Sequence, residues 1–318
     1  MAEPVHLMAE SEEAVGDASA DDEVDVSVVL PVFNEAGHVL DEISRIRKAL
    51  DESEFSYEII VVDDGSTDGS TDQLLVVEGI RLIRFSRNRG SGSARKAGTR
   101  AARGRVVVWT DADMTYPNER IPELVRELEG HDQVVGARTS EQGTVKLLRA
   151  PAKWFIRKLA GYLTDTDIPD LNSGLRAFRR DVALQYLHLL PAGFSCVTTI
   201  TMAFLANGYS VKYVPIDYFK RAGRSKFHWW RDTKRYIIQV LRLVLFYDPL
   251  RIFVPASMLF LLTGTVKLVY DIVDKDFRLA TNTLFILFTG FQILAIGLLA
   301  DLFVHLSRPK DEVDPAHR

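Results

Sequence analysis

The chain has 318 residues, of which 47% are hydrophobic and 26% are charged, enough for one large domain with a smaller appendage. The formal net charge is −4, but nine of the 43 acidic residues lie within residues 1–25. The rest of the chain is therefore mildly basic, which suits a partner that carries phosphates. The single cysteine, Cys196, excludes an internal disulfide and a metal site built from several cysteines.

Residues 1–25 combine acidic side chains with Ala, Ser and Gly and contain few bulky apolar residues. Such a segment cannot bury enough apolar surface to fold by itself, so we predict a disordered acidic tail. It also lacks the apolar run of a secretory signal, and we expect no signal peptide.

Residues 26–226 alternate short apolar runs with longer helical patterns. Apolar periodicity predicts a helix over 39–50, and a Gly/Ala-rich pattern predicts another over about 92–103. Continuous β-branched runs predict five strands, at 26–32, 57–62, 80–85, 105–110 and 132–137. Strands of this kind separated by helices are typical of a parallel sheet covered on both faces, so we predict the α/β class. Such sheets bind ligands outside the carboxyl ends of their strands.

The composition changes after residue 226. Residues 227–250 predict an amphipathic basic helix that begins with Trp229 and Trp230, which is typical of an element lying in a membrane interface. A helix that packs against a protein core is the alternative.

Residues 251–306 predict a two-helix transmembrane anchor. Its apolar stretches, 252–269 and 284–300, are each long enough to cross a hydrocarbon layer of ~30 Å. Basic residues precede the first stretch and follow the second, so the positive-inside rule predicts that the large domain and the tail at 307–318 face the cytoplasm. The alternative is a buried helical hairpin.

Polar motifs follow three of the predicted strands. The first strand runs into P-V-F-N-E at 31–35, the second ends in D-D-G-S-T-D at 63–68, and the fourth ends in D-A-D at 111–113. Carboxylates at the end of a buried strand need donors or cations as partners. A nucleotide would supply donors, although D-G-S-T-D is equally a good turn and helix-cap sequence.

Asp111 and Asp113 form the candidate metal site. Alternation along an extended chain would place the two carboxylates on the same side, about 7 Å apart. Oxygen ligands of this kind suit a hard divalent cation that keeps positions open for diphosphate oxygens. The sequence therefore predicts a site for Mg²⁺ or Mn²⁺.

Taken together with N-S-G-L-R-A-F at 172–178, these motifs resemble the family-2 glycosyltransferases of GT-A fold. The predicted spans resemble those of the branch containing dolichyl-phosphate mannose synthases and polyprenyl-phosphate glucosyltransferases. The resemblance implies metal ligands at Asp111 and Asp113, with Asp111 also near the nucleotide. It implies contacts to the nucleotide from a further set of residues: Pro31, Phe33, Glu35 and Asp64, with Asp63 beside them. Thr115 stands where the branch often has Gln, which makes an additional metal ligand there doubtful.

Several cations complete the expected site. Arg138 ends the fifth strand, Arg149 follows it, and K-R-A-G-R-S-K at 220–226 resembles the branch's basic loop. Because Arg and Lys clamp phosphates, Arg138, Arg149, Arg221 and Lys226 are the candidate catalytic residues. A basic cluster attracted to anionic lipid is the alternative for the loop. The roles of Arg224 and Asp170 stay open.

The resemblance implies an inverting transfer of a sugar from a UDP- or GDP-linked donor to a polyprenyl or dolichyl phosphate, for glycan or glycoprotein assembly. The expected partners are these two substrates and the bilayer, without nucleic acid, and relatives of this shape suggest a tetramer. A processive polysaccharide synthase and a catalytically silent membrane subunit are the alternatives. Gln239 to Leu243 lacks the Trp of the synthase motif Q-x-x-R-W, and the D-A-D motif argues against a silent subunit.

Overall fold

The computed structural model describes residues 7–8, 24–139, 161, 168–193, 195–219, 249–274 and 280–307. The strands are β1 (Leu7–Met8), β2 (Val26–Val32), β3 (Tyr57–Asp63), β4 (Arg81–Arg84), β5 (Val106–Trp109), β6 (Gln133–Arg138), β7 (Arg176–Arg179) and β8 (Val211–Ile216). The helices are α1 (Val39–Asp51), α2 (Ser70–Leu75), α3 (Ser91–Ala101), α4 (Ile121–Arg126), α5 (Arg180–Tyr186), α6 (Cys196–Ala206), α7 (Leu250–Asp274) and α8 (Thr281–Ser307). Short 3₁₀ turns lie at Asn118–Arg120 and Leu187–Leu189.

Among the described residues, the strands form one mostly parallel sheet in the order β1-β4-β3-β2-β5-β7-β6-β8. Of the described strands, β7 alone runs antiparallel, and it lies between β5 and β6. The predicted α/β class is therefore confirmed, and each of the five predicted strands forms within one residue of its expected bounds.

The core lies on both faces of the central strands. Val28 and Val29 point to opposite faces of β2, and both are fully buried, as are the apolar residues of the neighbouring β3. The helix α3 crosses closely over β2, because a Cβ at Gly98 would lie 2.3 Å from Cγ1 of Val29. Burial of each Val or Leu side chain contributes about 1.5–3 kcal/mol, which explains why continuous apolar runs form the centre of the sheet.

The N-terminal segment differs in part from the prediction. Within residues 1–25, expected to be disordered, Leu7 and Met8 pair in parallel with Leu82 and Ile83 of β4. Asp25 bonds to Ser56, and its carboxylate accepts a hydrogen bond from Arg105 Nη2 at 2.6 Å. An apolar Leu-Met pair is suited to a sheet edge, whereas the acidic composition around it dominated the prediction.

The C-terminal residues form a second compact unit, Lys234–Arg318, in which α7 and α8 make an antiparallel hairpin. Both helices are long and apolar enough to cross a membrane, over Leu250–Val273 and Thr281–Val304. Their outer faces expose apolar side chains, with Val273 78% exposed and Leu306 73% exposed. The predicted interfacial helix at 227–250 falls outside the described residues except at its last two positions, as does most of the tail at 307–318.

Glycines allow α7 and α8 to approach each other closely. A Cβ at Gly264 would lie 2.7 Å from Leu287, and one at Gly297 would lie 2.4 Å from Phe253. At the far end of the hairpin, the buried carboxylate of Asp271 accepts hydrogen bonds from Thr283 Oγ1 at 2.5 Å and from the Ala280 N–H at 3.2 Å. These contacts fix the register of the two helices.

Candidate active site

The predicted site residues that the structure describes follow the carboxyl ends of β2, β3, β5 and β6. These parallel strands end at the same edge of the sheet, where α/β proteins bind ligands. Arg149, Arg221 and Lys226 lie outside the described residues, and so does the rest of the basic loop at 220–226.

The loops after β2 and β3 are joined to each other. The N–H of Asn34 donates to Ser66 Oγ at 3.0 Å, and the N–H of Thr67 donates back to Asn34 Oδ1 at 2.8 Å. Further along, the N–H of Glu35 donates to Ser70 Oγ at 3.0 Å. Asn34 adopts φ 57°, a left-handed conformation that Asn tolerates better than most residues. Pro31, Phe33 and Glu35 lie partly exposed along this joined surface.

Asp63 and Asp64 are both buried and both bond to loop groups. Asp63 accepts from the Ser66 N–H at 2.9 Å and from Thr71 Oγ1 at 2.5 Å, which is the turn role left open above. Asp64 accepts from the backbone N–H groups of Arg89 and Gly90 at 2.6 and 2.8 Å. Burial raises the pKa of Asp64, and those N–H donors oppose the rise. Asp64 thus holds the loop that leads into α3 against the carboxyl end of β3.

Asp111 is paired with a buried arginine. Arg95 of α3 is 1% exposed and its Nη2 donates to Asp111 Oδ1 at 2.5 Å. Burial by itself would lower the pKa of Arg95, but Asp111, Cys196 and Tyr116 together outweigh it and the pKa is raised. The other oxygen of Asp111 faces Gly174, where a Cβ would lie only 2.7 Å away. Gly174 therefore keeps space beside Asp111 Oδ2.

The segment around Asp113 is not an extended strand. β5 ends at Trp109, and Met114 adopts φ 62° in the bend that follows, so the alternation argument for placing Asp111 and Asp113 on one side was wrong. Asp113 is 7% exposed and Oδ1 accepts from Thr115 Oγ1 at 2.5 Å. The side chain of Thr115 therefore bonds to the carboxylate of Asp113.

Side chains of α1 support the bend after β5. Glu42 is fully buried and accepts from Asn118 Nδ2 at 2.5 Å, and Arg45 bridges Glu42 and Glu119. Burial raises the pKa of Glu42, while Arg45 and Asn118 oppose the rise. Thr110 Oγ1 donates to Asn118 Oδ1 at 2.6 Å. This bond joins Asn118, the partner of Glu42, to the residue that directly follows β5.

A divalent cation fits the donors present only if other ligands complete its shell. No group of three or more His, Cys, Asp or Glu among the described residues is arranged to hold a metal ion. Two carboxylates with hard oxygen donors nevertheless match what Mg²⁺ and Mn²⁺ prefer when substrate phosphates supply the remaining ligands. The residues thus fit a cation that binds together with a diphosphate.

Arg138 is held in an ion pair at the end of β6. Its Nε and Nη2 donate to the two oxygens of Asp170 at 2.6 and 2.9 Å, and its guanidinium lies 5.1 Å from the centre of the Tyr218 ring. Burial opposes ionisation of Asp170, but the hydrogen bonds and charge of Arg138, together with the Asn172 N–H, outweigh it and hold the pKa of Asp170 below the usual range. Asp170, whose role was left open, therefore orients Arg138.

Two tyrosines in this region were missed by the sequence analysis. Tyr116 is buried, its hydroxyl accepts from the Gly174 N–H at 2.6 Å, and its ring packs edge-to-face on Tyr218 at 5.3 Å. Burial raises the pKa of Tyr218, and the charges of Asp113 and Asp111 add to the rise. Neither residue stands in a recognisable motif, so no local pattern could have indicated them.

Arg95 was also missed, although a signal was present. It lies three residues before Gly98 and four before Thr99, and all three share the buried face of α3. A charged residue on the buried face of a helix requires a partner, so the helical spacing pointed to an internal ion pair.

The geometry can be compared with solved structures. The chain is similar to glucosyl-3-phosphoglycerate synthase from Mycobacterium tuberculosis in complex with phosphoglyceric acid, with a TM-score of 0.56 and 22% identity over 69% of this chain and 80% of that one. A structure of that synthase with Mn²⁺, uridine diphosphate and phosphoglyceric acid gives a TM-score of 0.55, also at 22% identity, over 69% of this chain and 78% of that one. The fold is therefore of the GT-A class.

A family model described as Glycosyl transferase family 2 matches residues 27–187, and a model described as GtrB C-terminal hairpin matches residues 248–306. The chain therefore belongs to glycosyltransferase family 2. It is 33% identical over 303 residues to the undecaprenyl-phosphate 4-deoxy-4-formamido-L-arabinose transferase of Aeromonas hydrophila, covering 87% of each chain. The corresponding transferase of Proteus mirabilis is 30% identical over 299 residues, again covering 87% of each.

Proposed function

We propose that this glycosyltransferase moves a sugar from a nucleoside diphosphate carrier to a polyprenyl or dolichyl phosphate at a membrane surface. The observation that carries the proposal is the bend after β5, where Asp111 and Asp113 lie on the same edge of the sheet as Arg138. Similarity to undecaprenyl-phosphate sugar transferases over most of both chains supports a lipid phosphate as the acceptor.

The donor side of the site is assigned to the joined loops after β2 and β3. Pro31, Phe33 and Glu35 lie partly exposed there and offer an apolar ring and a carboxylate to a base and ribose. Asp64, which holds the loop at Arg89 and Gly90, shapes the same surface, with Asp63 as internal support.

Asp111 and Asp113 would hold a divalent cation, Mg²⁺ or Mn²⁺, next to the donor diphosphate. When bound, this ion supplies charge neutralisation for the leaving diphosphate. Arg95 fixes Asp111 from inside the protein, and Gly174 keeps space beside its second oxygen. Since the protein positions both carboxylates before substrate binds, little reorganisation is needed during the reaction.

The acceptor is an anion at neutral pH, so no side chain has to remove a proton from it. One of its phosphate oxygens forms a bond to the anomeric carbon as the bond from that carbon to the diphosphate oxygen breaks. The electron pair leaves with the nucleoside diphosphate, and attack from the opposite side inverts the configuration. Cations must offset repulsion between the two phosphates, and we assign this role to a set of four: Arg138, Arg149, Arg221 and Lys226.

The hairpin of α7 and α8 serves as the membrane anchor. Its exposed apolar faces support insertion into a bilayer, and the positive-inside rule places the short connection between α7 and α8 on the far side. The amphipathic helix predicted at 227–250 would precede the hairpin in the chain. A lipid acceptor cannot leave the bilayer. An anchored enzyme therefore encounters it by diffusion of both molecules within the plane of the membrane. The product would be a lipid-phosphate sugar that serves glycan or glycoprotein assembly.

The test is an extraction assay on membranes that contain the protein. Labelled UDP-glucose, UDP-N-acetylglucosamine, GDP-mannose and a UDP-linked aminoarabinose derivative are each supplied with undecaprenyl or dolichyl phosphate and Mg²⁺ or Mn²⁺. We expect one donor to transfer label into the organic phase, and we expect EDTA or Asp113→Asn to abolish the transfer. Label that appears equally with Asp113→Asn, or folded protein that transfers from no donor, would contradict the proposal.

A further inference from the structure

A hydrogen-bonded chain links the candidate metal carboxylate to the end of β8. Thr115 Oγ1 donates to Asp113 Oδ1 at 2.5 Å. The N–H of Phe219, the residue after Tyr218, donates to the carbonyl oxygen of Thr115 at 2.9 Å. Burial raises the pKa of the Tyr218 hydroxyl, and a hydrogen bond with the Thr115 side chain opposes the rise. The backbone contact thus fixes the bend after β5 to the residues that follow β8.

The ring of Tyr218 reaches the other side of the site. Its centre lies 5.1 Å from the guanidinium carbon of Arg138, within the range of a cation–π contact. Its edge-to-face contact with Tyr116 limits rotation of the ring, and Tyr116 is itself held by the Gly174 N–H. The same side chain therefore touches both the group that orients Asp113 and the arginine assigned to the acceptor phosphate.

We propose that Tyr218 is a positioning residue with two separable functions: its hydroxyl orients Asp113 through Thr115, and its ring orients Arg138. The inference rests on the proposed function, in which Asp113 holds the cation and Arg138 meets the acceptor. The inference adds that the side chain of Tyr218 sets the position of Asp113, on the sugar-donor side, relative to Arg138, on the side of the acceptor phosphate. Partners that orient metal ligands typically change metal affinity by 10- to 100-fold when removed.

The test separates the two functions with two variants. Tyr218→Phe keeps the ring and removes the hydroxyl, whereas Tyr218→Leu removes both. Tyr57→Phe is the matched control. Tyr57 begins β3, and its hydroxyl also donates to an aspartate, the surface residue Asp51 at the end of α1. Each protein is purified in detergent as the full chain.

The first readout does not depend on turnover. Free Mn²⁺ is measured by electron paramagnetic resonance in the presence of UDP and, in parallel, of GDP. We expect Tyr218→Phe to raise the Mn²⁺ dissociation constant by about tenfold, and Thr115→Val to have the same effect. Tyr57→Phe should match the wild type.

The second readout is the KM for polyprenyl phosphate at saturating Mn²⁺. Tyr218→Phe should leave it within twofold, whereas Tyr218→Leu should raise it several-fold because Arg138 loses the ring. Wild-type Mn²⁺ affinity in Tyr218→Phe, or an acceptor KM raised equally by both variants, would overturn the inference while the proposed function stands. A wild-type protein that binds no Mn²⁺ with either nucleotide would refute the proposed function itself.

Discussion

Arg95 lies inside the protein, so its partner Asp111 matters for folding as well as for any ligand. Loss of one member of a buried ion pair leaves an uncompensated charge and costs about 3–5 kcal/mol. Asp113 differs, because its contact with Thr115 is an ordinary hydrogen bond that an amide oxygen can also accept. The two carboxylates of the candidate metal site therefore make different contributions to stability.

We expect Asp111→Ala to lower the apparent Tm in detergent by several degrees, and Asp113→Asn to change the free energy of unfolding by less than about 1 kcal/mol. Both variants should lose sugar transfer. The double variant Arg95→Met/Asp111→Leu is the control, because it removes both charges and should recover much of the lost stability. Equal melting temperatures for Asp111→Ala and Asp113→Asn would refute the distinction.

The Arg138–Asp170 pair predicts a pH dependence. The pKa of Asp170 is below its usual value in the folded protein, so the pair stabilises the fold above the unfolded value of 3.8 and loses this contribution as pH falls below it. At pH 7 we expect Asp170→Asn to be less stable than wild type by about 2–4 kcal/mol. The difference in thermal stability should shrink as the pH approaches 3, and a constant difference would contradict the prediction.

At the scale of elements, the antiparallel strand β7 shapes the site. It lies between β5 and β6, so the chain that leads into it, from Ile168 to Leu175, passes the carboxyl ends of both strands. This path brings Asp170 to Arg138 and Gly174 to Asp111. The N-S-G motif therefore lies in the loop before β7, where Asn172 Oδ1 accepts from Thr198 Oγ1 at 2.9 Å and Gly174 lies beside Asp111.

The sequence predicted the central sheet well, because β2, β3 and β5 are largely buried on both faces and are rich in Val and Ile. It missed β7 and β8 for a physical reason. β7 reads R-A-F-R, and its two Arg residues interrupt the apolar pattern of a buried strand. β8 contains Pro215, which normally argues against a strand and is tolerated here because β8 lies at the sheet edge. Tyr218 joins the site only because β8 pairs beside β6, and no local pattern carries that pairing.

The hairpin of α7 and α8 allows a matched test of its packing. Gly297 faces Phe253, whereas Ala295 in the same helix is exposed. We expect Gly297→Leu to separate the helices and lower the apparent Tm of the hairpin-containing protein, because overpacking costs about 1–3 kcal/mol. Ala295→Leu adds the same side chain to the outer face and should have little effect. Similar losses in both variants would show that the glycine contact is unimportant.

At the scale of the whole molecule, the anchored arrangement predicts a labelling pattern. The native Cys196 is buried, so an impermeant thiol reagent should give a low background in intact cells. We expect Asp276→Cys, between α7 and α8, to react from outside. Glu52→Cys, exposed at the end of α1, and Glu312→Cys should react only after permeabilisation. Labelling of Glu52→Cys in intact cells would reverse the proposed orientation.

The hydrogen bonds that join the loops after β2 and β3 have a consequence for engineering. The N–H groups of Asn34 and Glu35 donate to Ser66 and Ser70, and the side chain of Asn34 accepts from the N–H of Thr67. A chimera that imports only one loop from a related enzyme would leave these groups of the remaining loop without their partners. If these loops bind the donor as proposed, we expect its preference to change only when both loops are exchanged together.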